Sequence, residues 1–565
     1  MLYSNFINSL AQDLKDRGLG IMVGGVLVPL LMYADDIVMM AGSISELQLM
    51  NDVVTEFAFK NRCRMNGDKS AVMAFNAAPE LKRRVQQHTW TLSGERVEVK
   101  TQYKYLGVDV LERTVDWRTH VNRITAKARA RSNDLLWTCR RDKGMRPRSA
   151  VTMWKALVRP IIEYAAEIWG GEISAALSDR MEKVQTDFGR AILGLKGHIG
   201  VANDFVRAEL GMETLEARRE KLRLGYWRRI FVANQNRVLV VVARLRRQEV
   251  MAGRRESHTS WMWGTRRLLV VRGMRELWET PELCFCVRQG SARFKEQMKI
   301  RWKKLCYEEV EEHHDVEIEA RMAAMPSMSQ YCRVKEWGEL PEELAVMQAE
   351  SGKYGMLVPE RYLDDVNERL ACHLKLLCRA GCLPTIARVC KELRDVRKIP
   401  LGDEEAHCRM CKSGAREDIE HIVLHCEAYA THRERMHEKA AEACRVIGFG
   451  IFAIAPACDK MDLLLGRSTG NAVADNNIDH AFKRFLKRAW RSRARLTRAI
   501  NEAFDRSDIV DRQDAPTKLV SMKEARGVVA AARPATGPPA VVAAPGQGAT
   551  PHNMQGRCVR RRLAL

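Results

Sequence analysis

The chain has 565 residues, too many for one ordinary domain, and 46% of them are hydrophobic, which excludes wholesale disorder. Its 93 Lys and Arg residues outnumber 71 Asp and Glu residues, and the resulting net charge of +22 favours a polyanionic partner. The chain starts without a secretory-signal pattern and has no apolar run long enough to span a membrane, so its 16 cysteines are predicted to be reduced thiols of an intracellular protein.

The first residues of the chain combine short apolar runs with a helical pattern. Apolar runs at 26–33 and 37–40 flank an Asp-Asp pair, which predicts two strands joined by an acidic turn. Ser43 and Glu46 then have the spacing of a capping box, and the apolar residues that follow recur at helical intervals, which predicts a helix.

Three further strand signals follow this helix. A strand is predicted at 71–75, after an Asn-Gly turn. A hairpin is predicted within 90–99, where two short β-type runs flank a Ser-Gly pair. The run 103–110 is predicted to be a single strand with Gly107 inside it.

The rest of the chain is predicted to be helical and basic, apart from a Cys/His-rich stretch and an Ala-, Pro- and Gly-rich tail ending in three arginines. The predicted fold class is therefore α+β. The predicted segments are 1–112 (mixed α and β), 113–247 (helical), 248–371 (helical, without a recognisable motif), 372–445 (Cys/His-rich), 446–512 (basic and helical) and 513–565 (disordered basic tail).

The acidic pair at the first hairpin consists of Asp35 and Asp36. Adjacent carboxylates repel each other, so folding alone gives little reason to place them at a turn between apolar strands. Mg²⁺ removes this conflict, because it takes hard carboxylate oxygens as ligands. The alternative is an ordinary surface turn, in which the Asp-Asp pair only favours the bend.

Tyr33-Ala34-Asp35-Asp36, between its apolar runs, resembles the Y-x-D-D catalytic box of reverse transcriptases. The surrounding segments resemble further motifs of the non-LTR retrotransposon type of this family, in the same order. These segments are 2–10 (palm helix), Asn66 with Lys69 and Ser70 (the motif after the box), 103–108 (primer grip), and 154–170 and 182–195 (thumb).

The resemblance implies a partial reverse-transcriptase palm at 1–112 and a helical thumb at 113–247, followed by a helical connector and a small zinc-knuckle region. It implies RNA-directed DNA polymerase activity by two-metal nucleotidyl transfer, with Asp35 and Asp36 as ligands of Mg²⁺. The implied partners are an RNA template and target DNA. The implied location is the nucleus, with a cytoplasmic ribonucleoprotein stage.

Two further groups acquire roles through the resemblance. Lys69 would protonate the leaving pyrophosphate or stabilise its charge; the alternative is a solvated lysine in a turn. Tyr105, Leu106 and Gly107 would form the primer grip, which holds the primer end mainly through backbone groups.

The sequence also departs from the family. A complete polymerase needs an earlier palm aspartate and basic fingers, which would precede the position of Met1. We therefore expect this chain alone to be inactive as a polymerase. The alternative function is a protein that binds RNA or DNA through thumb, zinc knuckle and tail. A group II intron maturase-like protein is a third possibility, which the thumb and knuckle segments disfavour.

The pattern Cys408-x2-Cys411-x9-His421-x4-Cys426 supplies three thiolates and one imidazole at spacings that suit a structural Zn²⁺ site. The neighbouring His407 and His425 are alternatives for the imidazole. Four other cysteines lie at intervals typical of helix faces and are predicted to be buried thiols; the alternative is a second zinc site. They are Cys372, Cys378, Cys382 and Cys390.

The basic segment near residue 490 has apolar residues at helical spacing, which predicts a helix packed on the knuckle region. Its other side is predicted to face nucleic acid, and the alternative is a merely solvated basic face. The candidate nucleic-acid-binding residues are Lys483, Arg484, Lys487, Arg488 and Arg491.

Overall fold

The structure is a computed structural model in which residues 2–506 are described with internal gaps. The gaps are 113–116, 141–144, 197, 199, 233–236, 254–259, 282–301, 303–308, 311, 336–359, 366–367, 398–405, 412 and 447–451. The tail predicted at 513–565 and much of the predicted connector therefore lie outside the described residues. Contacts divide the chain into two units, Met1–Ala494 and Arg495–Leu565.

The described chain is mostly helical and carries small sheets of two strands each, which is compatible with the predicted α+β class. None of the helices in the described part is both long enough and apolar enough to cross a membrane.

The N-terminal part contains all the strands found among the described residues. Its helices are α1 (Leu2–Asp16), α2 (Ile44–Lys60) and α3 (Pro79–Gln87). Its strands are β1 (Ile21–Val23), β2 (Val26–Val28), β3 (Leu30–Tyr33), β4 (Asp36–Met39), β5 (Ala71–Val72), β6 (Thr91–Leu92), β7 (Glu95–Arg96), β8 (Glu98–Val99), β9 (Gln102–Tyr105) and β10 (Val108–Leu111). A core of its own joins α1 and α2 to Trp90, whose indole N–H donates to Val85.

The predicted start of α2 is confirmed. The Ser43 side chain accepts a hydrogen bond from the Glu46 N–H at 3.2 Å, as in a capping box. The Glu46 carboxylate does not accept a hydrogen bond from the Ser43 N–H, as it would in a complete capping box. It accepts from the N–H groups of Gly42 and Gly20 at 2.8 and 3.0 Å, and so also fixes the chain before β1.

Three strand predictions need correction. The run 26–33 is two strands, because Pro29 lacks the N–H that a continuous ladder requires; β2 pairs with β1, and β3 pairs with β4. The run 103–110 is a hairpin of β9 and β10, because Leu106 and Gly107 have φ angles of 45° and 81° and turn the chain back. The hairpin at 90–99 closes early as β6 and β7, while β8 pairs in parallel with β5.

The remaining described chain is helical, with short 3-10 turns at Pro326–Met328, Arg361–Asp364, Glu427–Tyr429 and Phe452–Ile454 and an unlabelled helical stretch at 312–323. Its first helices are α4 (Arg118–Arg140), α5 (Pro147–Leu157), α6 (Arg159–Glu163), α7 (Ala166–Trp169), α8 (Ala175–Ile192), α9 (Asn203–Leu210), α10 (Leu215–Val232), α11 (Val238–Met251), α12 (Trp261–Val271) and α13 (Arg275–Glu279). They are followed by α14 (Ser329–Val334), α15 (Arg369–Arg379), α16 (Ile386–Arg397), α17 (Ala430–Val446), α18 (Ala457–Leu465) and α19 (Ala472–Arg506).

One apolar core runs through most of this helical part and includes residues of the Cys/His-rich stretch. A buried ion pair crosses it: Arg379 of α15 lies 2.8 Å from Glu209 of α9, and both side chains are almost fully buried. A smaller core joins α10 to α13, where Trp227 and Trp278 stack with ring centroids 5.3 Å apart. The predicted segment boundaries stay predictions.

Candidate metal centre and nucleic-acid surface

A short ribbon presents the first two cysteines of the Cys/His cluster. His407 bridges to Arg416, and the Cys408 N–H donates to the Ala415 carbonyl at 2.7 Å, so the chain turns back between them. Cys411 lies in that turn. The two-residue spacer therefore brings both thiols to the same end of the ribbon.

The other two members of the cluster flank a short π-helical turn. His421 begins this turn, which ends at His425, and Cys426 is the next residue. The Asp418 carboxylate accepts from the His421 N–H at 2.8 Å and so begins the turn. The Cys426 N–H then donates to the His421 carbonyl at 2.7 Å, which ends it. Both side chains consequently face the ribbon.

The four ligand atoms all lie within 4.8 Å of one another. The Sγ atoms of Cys408 and Cys426 are 3.9 Å apart, and the Cys411 Sγ is 3.4 Å from the His421 Nε2. A tetrahedral zinc ion with Zn–S bonds of about 2.3 Å requires S···S and S···N separations of about 3.8 and 3.5 Å. The cluster thus has the donor set and the spacing of a structural zinc site.

His421 is the imidazole of this cluster, and the two alternatives lie outside it. His425 instead lies 3.5 Å from Glu420 at the surface. Hydrogen bonding between the two sulfurs raises the pKa of the Cys408 thiol and lowers the pKa of the Cys426 thiol.

The four cysteines predicted to be thiols of the interior are buried. Burial raises the pKa of the Cys372 thiol to about 11 and that of Cys382 to about 12, so both stay protonated at neutral pH. Over the described residues, no second group of three or more His, Cys, Asp or Glu side chains comes together as a metal cluster.

The acidic pair lies at the tip of the β3–β4 hairpin, as the alternation of apolar runs predicts. Tyr33 faces Asp36 across the last pair of the ladder, and Ala34 has a φ of 53° that lets the chain turn. Asp35 and Asp36 are both exposed. Within the described chain no third metal-binding side chain joins them, so these two carboxylates do not by themselves make a multi-ligand Mg²⁺ site.

Two other residues singled out by the sequence lie on neighbouring elements. Lys69 is exposed in a turn that Asn66 shapes by accepting from its N–H at 3.0 Å, and the Tyr103 hydroxyl donates to the Lys69 carbonyl. Burial, with a contribution from the charge of Asp36, raises the pKa of Tyr105.

The Leu106-Gly107 turn is held by side chains from the helical part. The Tyr164 hydroxyl donates to the Leu106 carbonyl at 2.7 Å, and Arg123 donates to the Gly107 carbonyl at 2.9 Å. Arg123 also lies 2.6 Å from the buried Asp109 carboxylate. Both carbonyls of the turn are therefore already occupied, which leaves its N–H groups and side chains for a ligand.

No protein-family model matches the chain. Its sequence is 28% identical over 175 residues to the RNA-directed DNA polymerase from mobile element jockey of Drosophila funebris. The match covers 30% of this chain and 18% of that protein, so the chain spans less than a fifth of its relative. Over part of its length, the chain is similar to an RNA-directed DNA polymerase.

The basic residues predicted on α19 divide into two groups. Lys483 is buried and lies 3.1 Å from Asp365 and 2.8 Å from Asp479, and this placement corrects the prediction that its side chain faces nucleic acid. Lys487 lies 2.6 Å from Glu368 and is partly buried. The exposed members of the predicted set are Arg484, Arg488 and Arg491.

Sequence reasoning missed the residues that support these sites. Arg123 and Tyr164 hold the 106–107 turn from α4 and from the turn between α6 and α7, and no sequence pattern near them points to that contact. Glu417, fully buried beside Cys408, was missed as well. One available signal was its place between Cys411 and His421, since a carboxylate close to metal ligands in sequence is often a partner of one of them.

Proposed function

We propose that this chain is the nucleic-acid-binding part of a reverse transcriptase of the non-LTR retrotransposon type, with an RNA template and target DNA as its partners. The observation that carries the proposal is the placement of Asp35 and Asp36 at the tip of the β3–β4 hairpin, directly after Tyr33 and Ala34. The similarity to the jockey polymerase supports it, as does the net charge of +22.

Within this proposal, Asp35 and Asp36 contribute ligands for Mg²⁺ and Lys69 faces the leaving group. Residues 105–107 hold the primer end through N–H groups, because their carbonyls at Leu106 and Gly107 are engaged. Catalysis requires at least one further carboxylate beside Asp35, since two exposed carboxylates hold Mg²⁺ weakly. The proposed function implies that the protein acts in the nucleus, after a cytoplasmic stage as a ribonucleoprotein.

Zn²⁺ has a structural role in the proposal. Cys408, Cys411, His421 and Cys426 would hold it, and it would supply folding energy to a stretch whose ribbon is too short to be stable alone. With these four residues as ligands, the ion would have no open coordination position for chemistry and would serve the fold.

The proposal is tested by the binding of a fluorescent primer–RNA template hybrid to the full chain, measured by anisotropy over a series of salt concentrations. We expect binding that weakens linearly on logarithmic axes as salt rises, and that is tighter than binding of a heparin fragment of equal charge. Equal affinity for the heparin fragment, or no binding at low salt, would contradict the proposal.

A second candidate, binding without polymerisation, is favoured by the exposure of Asp35 and Asp36 and by the lack of a third ligand among the described residues. Primer extension with Mg²⁺ tests this candidate, with Asp35→Asn as the paired variant. We expect no extension by either protein and equal binding of the hybrid. Extension that Asp35→Asn abolishes would show that this chain builds a complete metal site.

A further inference from the structure

The carboxylate of Glu417 lies between the zinc-ligand cluster and the last helix. Its side chain is fully buried, and one carboxylate oxygen is 3.5 Å from the Cys408 Sγ. The other oxygen lies 2.7 Å from the Arg493 guanidinium of α19 and accepts from the Ile386 N–H at 2.9 Å. One side chain thus contacts a metal ligand, the start of α16 and the basic helix α19.

Among the arginines of α19 whose side chains the structure describes, Arg493 is the one that pairs with Glu417. Its side chain is mostly buried, and its guanidinium lies over the Trp490 ring at 5.6 Å. Arg491 is two residues earlier and therefore about 200° away around the helix, where it is exposed. The spacing of four and three residues puts Arg484 and Arg488 on the same exposed stripe as Arg491.

Further contacts fix this end of α19 against the cluster region. The His432 imidazole of α17 lies 3.2 Å from the Ser492 hydroxyl, and Arg433 donates to the Cys426 carbonyl at 2.9 Å. The backbone of Glu417 is held as well, because its N–H donates to Ala406 at 2.9 Å and closes the ribbon. The ribbon, α17 and α19 therefore meet at the metal cluster.

The charges around the cluster give Arg493 a role in zinc binding. Zn²⁺ with three thiolates and a neutral imidazole carries a net charge of −1, and the Glu417 carboxylate adds a second negative charge in a water-poor interior. Arg493 supplies the opposite charge, and the positive N-terminal end of α16 at Ile386 adds to it. A contact that stabilises the loaded cluster must in turn be stabilised by it.

We propose that Arg493 is a positioning residue that couples zinc loading of the Cys408–Cys411–His421–Cys426 cluster to the docking of α19. The arginine stripe of Arg484, Arg488 and Arg491 is then held in place for a polyanion only when the metal is bound. The coupling itself does not depend on the proposed function, whereas its consequence for nucleic acid rests on it.

The first arm of the test uses the unaltered, zinc-loaded full chain. Hydrogen exchange of backbone amides in 472–494 is followed before and after a chelator removes the metal, with 44–60 of α2 as an internal reference. We expect faster exchange in 472–494 and unchanged exchange in α2. Exchange in 472–494 that does not respond to the chelator overturns the coupling.

The second arm compares Arg493→Gln with Arg491→Gln, which removes the same charge from the opposite face of the helix. Zinc affinity is measured by competition with a chromogenic chelator. We expect Arg493→Gln to weaken zinc binding about 10-fold or more, because the buried Glu417 carboxylate beside Cys408 then loses the opposite charge that compensates it. Arg491→Gln should leave zinc affinity unchanged. Equal zinc affinity in the two variants overturns the proposal.

Rescue distinguishes coupling from simple misfolding. Arg493→Lys keeps a positive charge beside Glu417, so it should recover part of the zinc affinity lost in Arg493→Gln. Glu417→Gln removes the carboxylate charge next to the thiolates, so it should retain zinc while exchange in 472–494 rises. If Arg493→Lys and Glu417→Gln both lose as much zinc affinity as Arg493→Gln, this result would contradict an electrostatic link.

The third arm measures the hybrid-binding consequence. In the unaltered chain, removal of zinc should weaken binding of the primer–RNA template hybrid about as much as the Arg484→Gln/Arg488→Gln/Arg491→Gln variant does. Coupled exchange without any hybrid binding would retain the zinc–helix link and reject the proposed function. Hybrid binding that zinc removal leaves unchanged would reject the consequence.

Discussion

The Tyr164 hydroxyl donates a 2.7 Å hydrogen bond to the Leu106 carbonyl, which ties the β9–β10 turn to the helical part of the chain. Arg123 holds the next carbonyl, that of Gly107, from α4. The orientation of this turn is therefore set by the helices that follow it and not by the hairpin alone. A primer end held at 105–107 would be positioned relative to those helices.

Gly107→Ala should destabilise the chain more than Gly94→Ala. Both glycines have positive φ angles, 81° and 78°, so each substitution adds backbone strain of about 1 kcal/mol. A Cβ at Gly107 would in addition lie 2.9 Å from Tyr164 Cε1, whereas a Cβ at Gly94 meets no atom within 4 Å. Thermal unfolding of the two variants measures the difference.

The double variant Gly107→Ala/Tyr164→Ala tests the origin of that difference. If the clash with the Tyr164 ring is the cause, the extra loss of Gly107→Ala should shrink when the ring is absent. Equal midpoints for Gly107→Ala and Gly94→Ala would show that the ring moves aside without cost.

The Cys/His cluster should bind about one zinc ion per chain, and Cys411→Ser should abolish that binding. Cys458→Ser is the matched control, because Cys458 is an exposed thiol outside the cluster. Zinc content by mass spectrometry of the native protein and the unfolding midpoint with and without chelator are the measurements. A chelator that removes no metal, or that leaves the midpoint unchanged, would argue against a structural zinc site.

The ion pair of Arg379 and Glu209 should contribute more to stability than an exposed pair of similar length. Glu209→Gln leaves a buried guanidinium with less compensation, and such losses amount to about 3–5 kcal/mol. Glu360, 3.2 Å from Arg379, compensates in part and places the expected loss at the lower end of that range.

Glu80→Gln serves as the control for this pair. Glu80 lies 2.6 Å from Arg83 on the exposed side of α3, where solvent screens the interaction. We expect a large fall of the urea midpoint for Glu209→Gln and no measurable change for Glu80→Gln. Similar midpoints for both variants would mean that the buried pair is compensated fully by its neighbours.

Local chemistry made several features predictable from the sequence. Ser43 and Glu46 began a helix because their side chains satisfy N–H groups close in sequence, and the Cys/His spacing led to a cluster because its ligands lie on one ribbon and one turn. Leu106 was misassigned because a turn with two positive φ angles leaves the apolar pattern of a strand unbroken.

Long-range pairing set the limit of prediction. The partner of Arg493 is 76 positions away at Glu417, and no local pattern joins them. Lys483 was predicted to face nucleic acid, although Asp479 is four residues before it and such spacing favours a helical ion pair. The second partner, Asp365, lies 118 positions before Lys483, so no local pattern joins these two residues either.

Stability should depend on pH through Asp315. Burial raises the pKa of this carboxyl to about 6, and Lys221 and His314 oppose the shift only in part. Because the folded chain holds the proton more tightly than the unfolded chain, Asp315 favours folding below a pH of about 4, and this contribution is lost as the pH rises through about 6. Asp315→Asn should therefore be more stable than the unaltered chain at pH 8, by up to about 3 kcal/mol.

The control for this prediction is Asp187→Asn, on the exposed side of α8. Urea unfolding at pH 4 and pH 8 should give a difference for Asp315→Asn at pH 8 that vanishes at pH 4, and no such change for Asp187→Asn. A stability difference of Asp315→Asn that is the same at both pH values would exclude the buried carboxyl as its source.

The exposed stripe of Arg484, Arg488 and Arg491 should contribute to the salt dependence of nucleic-acid binding. Each arginine that neutralises a phosphate releases counterions, so its removal should lower the slope of log affinity against log salt by about 1. The variant that replaces all three by Gln should bind the hybrid more weakly at low salt. Its slope of log affinity against log salt should be smaller by up to about 3.

A control variant removes three exposed arginines that already pair with a carboxylate on their own helix. They are Arg83, Arg246 and Arg275, which lie 2.6, 2.8 and 2.6 Å from Glu80, Glu249 and Glu279. Its net charge changes by the same amount, so any effect of overall charge on binding appears in both variants. An equal loss of slope in the two variants would show that the whole basic surface, and not the α19 stripe, meets the phosphates.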